Sequence, residues 1–351
     1  MEQEILIIRL SSIGDILHCT PVVRTLKQAW PKCRITWLVG EASQELIKYN
    51  SYIDEIVVWS RERFEQQLRK IDIVRTYNLW RDLQQALAPR HFDALLDIHG
   101  LFLTGMIASQ VQTKRRIGMS EAREFNSLFM TETAKPLGKH IVERYLGVLR
   151  PLGITTMDVR MTLVLSDHSK RFAVQFLADV GVLLAERFVV LVPGTTWPSK
   201  NWPTNFFAKV ATSLAKNFRI ILCGGQAEVK LGQEIQAQAG VTVINAVNRT
   251  SVLEMAAILE RAAVVVTGDT GPLHIAAALG VPTVAIFGPT DPAIYEPLGQ
   301  QHAVLFNKLA CSFCHKVTCP LETGRCMLSV TPEAVVQKVY SVAKGGGAAL
   351  V

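Results

Sequence analysis

No stretch of about 18 to 20 apolar residues runs free of glycine, proline or charge, so the sequence offers no membrane-spanning helix. The first twenty residues read as strand and loop, not as a secretory leader, and together these absences point to a cytosolic protein. Charge is sparse, at 19% Asp, Glu, Lys and Arg, while apolar residues reach 49%, which excludes a disordered chain. Neither half carries the G-x-G-x-x-G fingerprint, which leaves a nicotinamide-dependent oxidoreductase a distant reading. No helix-turn-helix, RNA-binding signature or aromatic-interleaved basic groove is present, which argues against nucleic acid. No acidic cluster suggests catalysis by a bound divalent metal. The net charge of +7 nevertheless calls for anionic partners, which leaves an anionic membrane surface or a phosphorylated substrate.

What is present is alternation. Residues 4–10, 34–40, 55–59, 92–100 and 115–119 are apolar or β-branched runs that predict strands, with helices over 21–30, 43–49, 60–90 and 141–152. A second series follows at 187–192, 219–223, 241–244, 263–267 and 283–287, with helices starting near Pro203, Ala227, Ser251 and Pro272. The length of 351 residues allows two domains, and this pattern predicts two Rossmann-like α/β domains with parallel sheets facing a central cleft. The expected limits are 1–165 and 180–330. A final helix, with Thr331 as N-cap and Pro332 in its first turn, is expected to cross back to the first domain over 331–351, with a frayed tail from Gly345.

Two strand ends carry more polar chemistry than a turn needs. After the run at 264–267 comes Gly268-Asp269-Thr270-Gly271-Pro272-Leu273-His274, and after 283–286 comes Phe287-Gly288-Pro289-Thr290-Asp291-Pro292. A loop leaving a strand at a helix start offers free backbone N–H groups and the positive end of the helix dipole, which suits a diphosphate. The N–H groups of Thr270 and Gly271 and the Thr270 hydroxyl are placed to contribute there. At the N-terminal end, Ser11-Ser12-Ile13-Gly14-Asp15 follows the first strand; taken alone, Asp15 reads more readily as a helix cap than as a catalyst.

Ser11-Ser12-Ile13-Gly14-Asp15, Pro193-Gly194-Thr195-Thr196 with Lys200-Asn201-Trp202-Pro203, and the two loops after residue 267 together resemble glycosyltransferase family 9, the lipopolysaccharide heptosyltransferases, over nearly the whole chain. The resemblance implies a GT-B fold, with an acceptor-binding N-terminal domain and a donor-binding C-terminal domain. It implies inverting transfer of heptose from ADP-heptose or a related nucleotide sugar to a lipopolysaccharide core acceptor. Asp15 matches the family's catalytic aspartate, with Lys200 assisting the leaving group. Thr195, Thr196, Lys200, Asp269, Thr270, Gly271 and His274 match the donor site, and Glu228 matches a carboxylate that reads the nucleoside end. The lesser alternative for His274 is a satisfied buried histidine. Ser12, Gly14, Arg123 and His140 are the acceptor-side candidates, beside a supply of cations in Arg61, Arg63, Arg69, Lys70, Arg75, Arg81, Lys114, Arg115 and Arg116.

Cys311, Cys314, Cys319 and Cys326 fall within sixteen residues and allow a structural zinc or iron–sulfur site, metal-free thiols, or, least expected in a reducing compartment, a disulfide. No cofactor is expected to be required for catalysis. The cysteine run tilts the expectation toward the heptosyltransferase II type, acting peripherally at the inner face of the inner membrane. The rival readings are the same fold using another nucleotide sugar, and a non-catalytic nucleotide- or glycan-binding protein.

Overall fold

The computed structural model describes residues 3–156, 158–183 and 185–345. They fall into two compact units, Met1–Val164 and Leu165–Val351. The first runs β1 (Glu4–Ile8), α1 (Ile13–Ala29), β2 (Arg34–Gly40), β3 (Glu55–Trp59), α2 (Arg61–Arg69), α3 (Ile73–Leu87), β4 (His91–Phe92), β5 (Ala94–Asp97), α4 (Phe102–Gln110), β6 (Gln112–Thr113), β7 (Arg116–Met119), β8 (Glu132–Ala134) and α5 (Ile141–Leu146). The second runs α6 (Asp167–Asp179), β9 (Phe188–Val192), α7 (Thr204–Leu214), β10 (Arg219–Leu222), α8 (Val229–Gln238), β11 (Ile244–Asn245), α9 (Val252–Glu260), β12 (Val264–Gly268), α10 (Gly271–Ala278), β13 (Thr283–Ile286), α11 (Pro292–Tyr295), β14 (His302–Leu305), α12 (Arg325–Leu328) and α13 (Pro332–Gly345).

Each unit is built on a six-stranded parallel sheet. The orders are β3-β2-β1-β5-β7-β8 and β11-β10-β9-β12-β13-β14, while β4 and β6 form a small separate ladder. Buried parallel strands need apolar side chains on both faces, and Ile5, Leu6, Ile7 and Ile8 in β1 and Val189, Val190, Leu191 and Val192 in β9 supply them. In both sheets the order reverses direction beside the first strand, between β1 and β5 and between β9 and β12. Open α/β sheets bind ligands at the carboxyl ends of the strands at such a switch point, because the connections leave on opposite faces there and open a crevice. Arg9 to Asp15 and His99 stand at the first switch point, and Thr195 to Lys200 and Asp269 at the second.

Several elements depart from the sequence reading. The first strand stops at Ile8, and α1 begins at Ile13 instead of Pro21, so Asp15 is already the third helical residue. Pro21 lies inside α1, where its missing N–H leaves the Leu17 carbonyl without its helical partner. The buried Thr20 hydroxyl donates to that carbonyl at 2.7 Å and accepts from the Thr162 N–H at 2.8 Å, so the helix passes through the proline. Helix α4 and strands β8 and β14 had not been expected. The C-terminal helix packs within the second unit: Val335, Val339 and Ala343 lie in its core with Val210, Leu214 and Val264, because α13 has an apolar stripe for the sheet face. The tail expected to fray from Gly345 onward lies outside the described residues beyond Gly345.

Thr20→Val removes both hydrogen bonds while keeping the shape, and is expected to cost about 2–4 kcal/mol, because two buried backbone groups lose their partner. Urea unfolding checks this; a loss under about 0.5 kcal/mol contradicts the role given to Thr20.

Candidate functional site

In the first unit the site grows from one buried cation. Arg9 follows β1, is 7% exposed, and donates to the Ile98 carbonyl at 2.8 Å from the loop after β5. Its other terminal nitrogen lies 2.6 Å from Asp15 Oδ2. The Tyr145 hydroxyl, from α5, donates to Asp15 Oδ1 at 2.7 Å, and the Arg9 guanidinium lies 5.1 Å from the centre of the Tyr145 ring. Ser12 donates its hydroxyl to Asp15 Oδ2 at 3.0 Å, with its N–H at 3.4 Å, the reciprocal half of a capping box. Burial works to raise the Asp15 pKa, but Arg9, the Tyr145 hydroxyl and His18 outweigh it and hold the carboxyl well below the usual range. Its side chain remains 29% exposed. Asp15 is therefore a fixed carboxylate with one open side at the first switch point.

The surroundings are sorted by their partners. His99 accepts from Arg61 at 2.8 Å, and its burial, with Arg9 and Arg61 close by, lowers its pKa to about 3, so it is neutral. Asp97, fully buried at the end of β5, accepts from the N–H groups of His99 and Gly100 and from Asn126 Nδ2 at 2.7 Å, fixing the loop that carries His99. His140 is the N-cap of α5: its Nδ1 accepts from the Val142 N–H at 3.3 Å, which places its ring proton on Nε2. It thus sits one helix turn from Tyr145. Gly14 is buried in the first turn of α1, where a side chain is absent beside Asp15. Arg123 is exposed, and its backbone N–H donates to the Gly100 carbonyl at 2.9 Å. Arg115 is committed elsewhere, held by Glu132 at 2.8 and 2.9 Å and by the Pro151 carbonyl, and Arg116 bonds the Phe129 carbonyl.

In the second unit the centre is a buried carboxylate. Asp269 is 7% exposed; its Oδ2 accepts from Lys200 Nζ and from the Thr290 hydroxyl, both at 2.7 Å, and its Oδ1 lies 3.6 Å from His274 Nε2. Burial opposes ionisation, yet His274 and Lys200 together hold Asp269 below the ordinary carboxylate range. The Lys200 ammonium also stands 4.3 Å from the centre of the Trp197 ring. Thr195 is fixed by Asn201, which accepts from its N–H at 3.1 Å and from its hydroxyl at 2.8 Å, while Thr196 is exposed. Thr270 opens α10 in extended conformation without capping it by its side chain, so the first-turn N–H groups have no side-chain acceptor from it.

Two glycines let these loops meet. A Cβ on Gly194 would stand 2.1 Å from Glu228 Cγ, and one on Gly268 would stand 3.1 Å from Thr195 Cγ2. Glu228 crosses Gly194 and accepts from the Gly225 N–H at 2.8 Å, so the ends of β9 and β10 are joined by its side chain. Sequence reasoning missed Tyr145, His99, Asn201 and Thr290. Asn201 and Thr290 lay inside motifs already singled out; Tyr145, 130 residues from Asp15, gave no local signal.

All four clustered cysteines are free thiols, and among the described residues no group of three or more His, Cys, Asp or Glu side chains is arranged to hold a metal ion. The cysteine loop reaches the donor-side loops by its backbone: Ser199 donates its hydroxyl to the Lys316 carbonyl at 2.6 Å and its N–H to the Val317 carbonyl at 3.1 Å, and the His315 N–H donates to the Pro289 carbonyl at 2.9 Å.

Because its folded-state pKa is depressed, Asp269 adds stability that is complete above the ordinary carboxylate range and fades as pH falls through and below it. The gap in Tm between the native protein and Asp269→Asn should therefore narrow on acidification from pH 7. Thermal melts in a pH series check this, and a constant or widening gap contradicts it.

Residues 80–324 match the family model for glycosyltransferase family 9 (heptosyltransferase). Lipooligosaccharide heptosyltransferase 2 of Campylobacter jejuni is 32% identical over 338 residues, covering 95% of this chain and 96% of that protein. The crystal structure of a family 9 glycosyl transferase from Veillonella parvula aligns with TM-score 0.82 at 23% identity, covering 98% of both chains. The structure of E. coli ADP-heptose lps heptosyltransferase II aligns with TM-score 0.76 at 20% identity, covering 99% of this chain and 100% of that one. The structural likenesses show the fold, the GT-B class of two Rossmann-like units, and the family match with the Campylobacter relative shows the lineage. The chain belongs to glycosyltransferase family 9.

Proposed function

We propose that this glycosyltransferase transfers heptose from ADP-heptose to the inner core of lipopolysaccharide, with inversion at the anomeric carbon. The observation that carries the reading is Asp15: an ionised carboxylate held by Arg9, Tyr145 and Ser12, open on one side, at the carboxyl end of the first strand. Family membership supports the donor and acceptor classes, since the Campylobacter and E. coli relatives named above are heptosyltransferases.

The chemistry runs as a single displacement. The acceptor hydroxyl oxygen forms a bond to the anomeric carbon as the bond from that carbon to the β-phosphate oxygen breaks, its electron pair leaving on ADP, and the hydroxyl proton passes to Asp15. The contacts that keep Asp15 ionised make it a weak base at rest. Proton transfer therefore comes late, when bond formation has made the hydroxyl acidic, and until then the carboxylate stabilises the oxocarbenium-like centre. On the donor side, the reading assigns the diphosphate to the N–H groups of Thr270 and Gly271 with Lys200, whose ammonium Asp269 and Trp197 position. Thr195, Thr196 and His274 flank the diphosphate and sugar in this reading, and Glu228 reads the nucleoside. Ser12, Gly14, Arg123 and His140 serve the acceptor side, His140 by placing α5 and its Tyr145. No cofactor enters the scheme. The acceptor is lipid-borne, so the reading places the protein at the cytosolic face of the inner membrane, bound peripherally; among the described residues no helix is long and apolar enough to cross it.

The test is mass spectrometry of two acceptors, one ending at Kdo and one at the first heptose, incubated with the protein and ADP-heptose. The expected result is a gain of one heptose with equimolar ADP, on the acceptor that already carries heptose if the enzyme is of the second type. Asp15→Asn should lower kcat by about 10²–10⁴-fold while leaving ADP affinity unchanged. No gain on either acceptor, with the donor intact, overturns the heptose reading; undiminished turnover by Asp15→Asn overturns the mechanism.

A further inference from the structure

The junction between α2 and α3 exposes more large apolar surface than any function described so far needs. Leu68 is 58% exposed, Ile71 79%, Ile73 73%, Val74 70% and Tyr77 60%, all within ten residues. Isolated apolar residues on a surface are ordinary, but a contiguous group marks an interaction site. The other side of α3 is accounted for: Leu83 and Leu87 are buried in the core of the first unit, with Leu79 and Trp80 packed against it. Nothing local explains the tip. Ile71 has φ +57°, a left-handed conformation that a β-branched residue seldom adopts and that glycine or asparagine would take at lower cost. Neither the backbone nor burial within the chain favours isoleucine there.

The charges around the tip identify what covers it. Residues 61–81 hold six basic side chains against three acidic ones. Arg61 is bound to Glu65, Arg63 to Glu41 and Arg75 to Asp72, whereas Arg69 and Lys70, at the tip itself, make no ion pair among the described residues. Two such surfaces facing each other would bring like charges together, which disfavours a second copy of the chain. An apolar tip ringed by cations suits the boundary between anionic headgroups and acyl chains: the side chains enter the interface while Arg69 and Lys70 meet the phosphates.

We infer that the α2–α3 tip, Leu68 to Tyr77, is a docking surface for an anionic lipid bilayer, with Ile71, Ile73, Val74 and Tyr77 entering the interface and Arg69 and Lys70 binding headgroup phosphates. The inference builds on the reading of a lipid-borne acceptor, yet its test needs no turnover. The full chain is sedimented with vesicles of phosphatidylcholine alone and of phosphatidylcholine with phosphatidylglycerol. The native protein should bind the anionic vesicles, more weakly as salt rises, and bind the neutral ones poorly. Arg69→Glu/Lys70→Glu should weaken anionic-vesicle binding by on the order of tenfold or more. Ile73→Glu/Val74→Glu should weaken it comparably while keeping the native Tm and the turnover of a water-soluble acceptor. Equal binding by native protein and both double variants overturns the assignment. So does a dimer in analytical ultracentrifugation that the Ile73→Glu/Val74→Glu variant dissolves, which would make the tip a contact between copies. Vesicle binding without heptose transfer would sink the functional reading alone; transfer without tip-dependent binding would sink this one alone.

Discussion

The first site depends on one ion pair, Arg9 with Asp15. A guanidinium that is only 7% exposed has lost most of its water, and it stays charged because a carboxylate lies 2.6 Å away and a backbone carbonyl takes another of its protons. That cation fixes three things at once. It keeps Asp15 ionised, it ties the end of β1 to the loop after β5 through Ile98, and it helps keep His99 neutral. Removing either member would leave the other a desolvated charge, so the pair stands or falls together. Tyr145 takes the remaining carboxylate oxygen, so Asp15 is held from both of its oxygens.

The second unit uses the same topology with the roles of the charges exchanged. There the more buried partner is the carboxylate Asp269, at the end of β12, and the cation Lys200 comes from the loop after β9. Thr290 and His274 add two further contacts, so residues from the ends of three neighbouring strands meet on one carboxylate. An aspartate saturated in this way is poorly suited to take a proton itself. It is suited to hold the Lys200 ammonium in place, which is the part the proposed mechanism gives it. The cysteine loop reinforces the arrangement from outside, through Ser199 beside Lys200 and Pro289 beside Thr290.

The β-branched runs 264–267 and 283–286 and the Gly-Asp and Gly-Pro turns at their ends were legible because buried parallel strands and strand-end loops leave composition signals that need no tertiary context. The start of α1 was not. Pro21 reads as punctuation, and only the Thr20 hydroxyl, bonded to the Leu17 carbonyl, shows how the helix continues through it. Helix α4 carries Gly105 in its middle and β14 has four half-buried residues, so neither repeats strongly enough to read. The C-terminal helix was legible as a helix, but which unit its apolar stripe covers is decided by shape. In the site, Asp15, Lys200 and Asp269 lie in motifs, while Tyr145 reaches Asp15 across 130 residues and could be found only from the fold. Arg115 shows the opposite failure: a cation that looked available for an acceptor is spent on Glu132 and a carbonyl.

The central claim is that Arg9 and Tyr145 hold Asp15 ionised before substrate binds. The most direct measurement is a titration of the Asp15 carboxyl carbon by NMR in the unliganded protein, assigned by its loss in Asp15→Asn. A midpoint well below the ordinary aspartate value of about 3.9 is expected, moving upward in Tyr145→Phe as one donor is removed. A midpoint at or above that value, unmoved by Tyr145→Phe, would contradict the account.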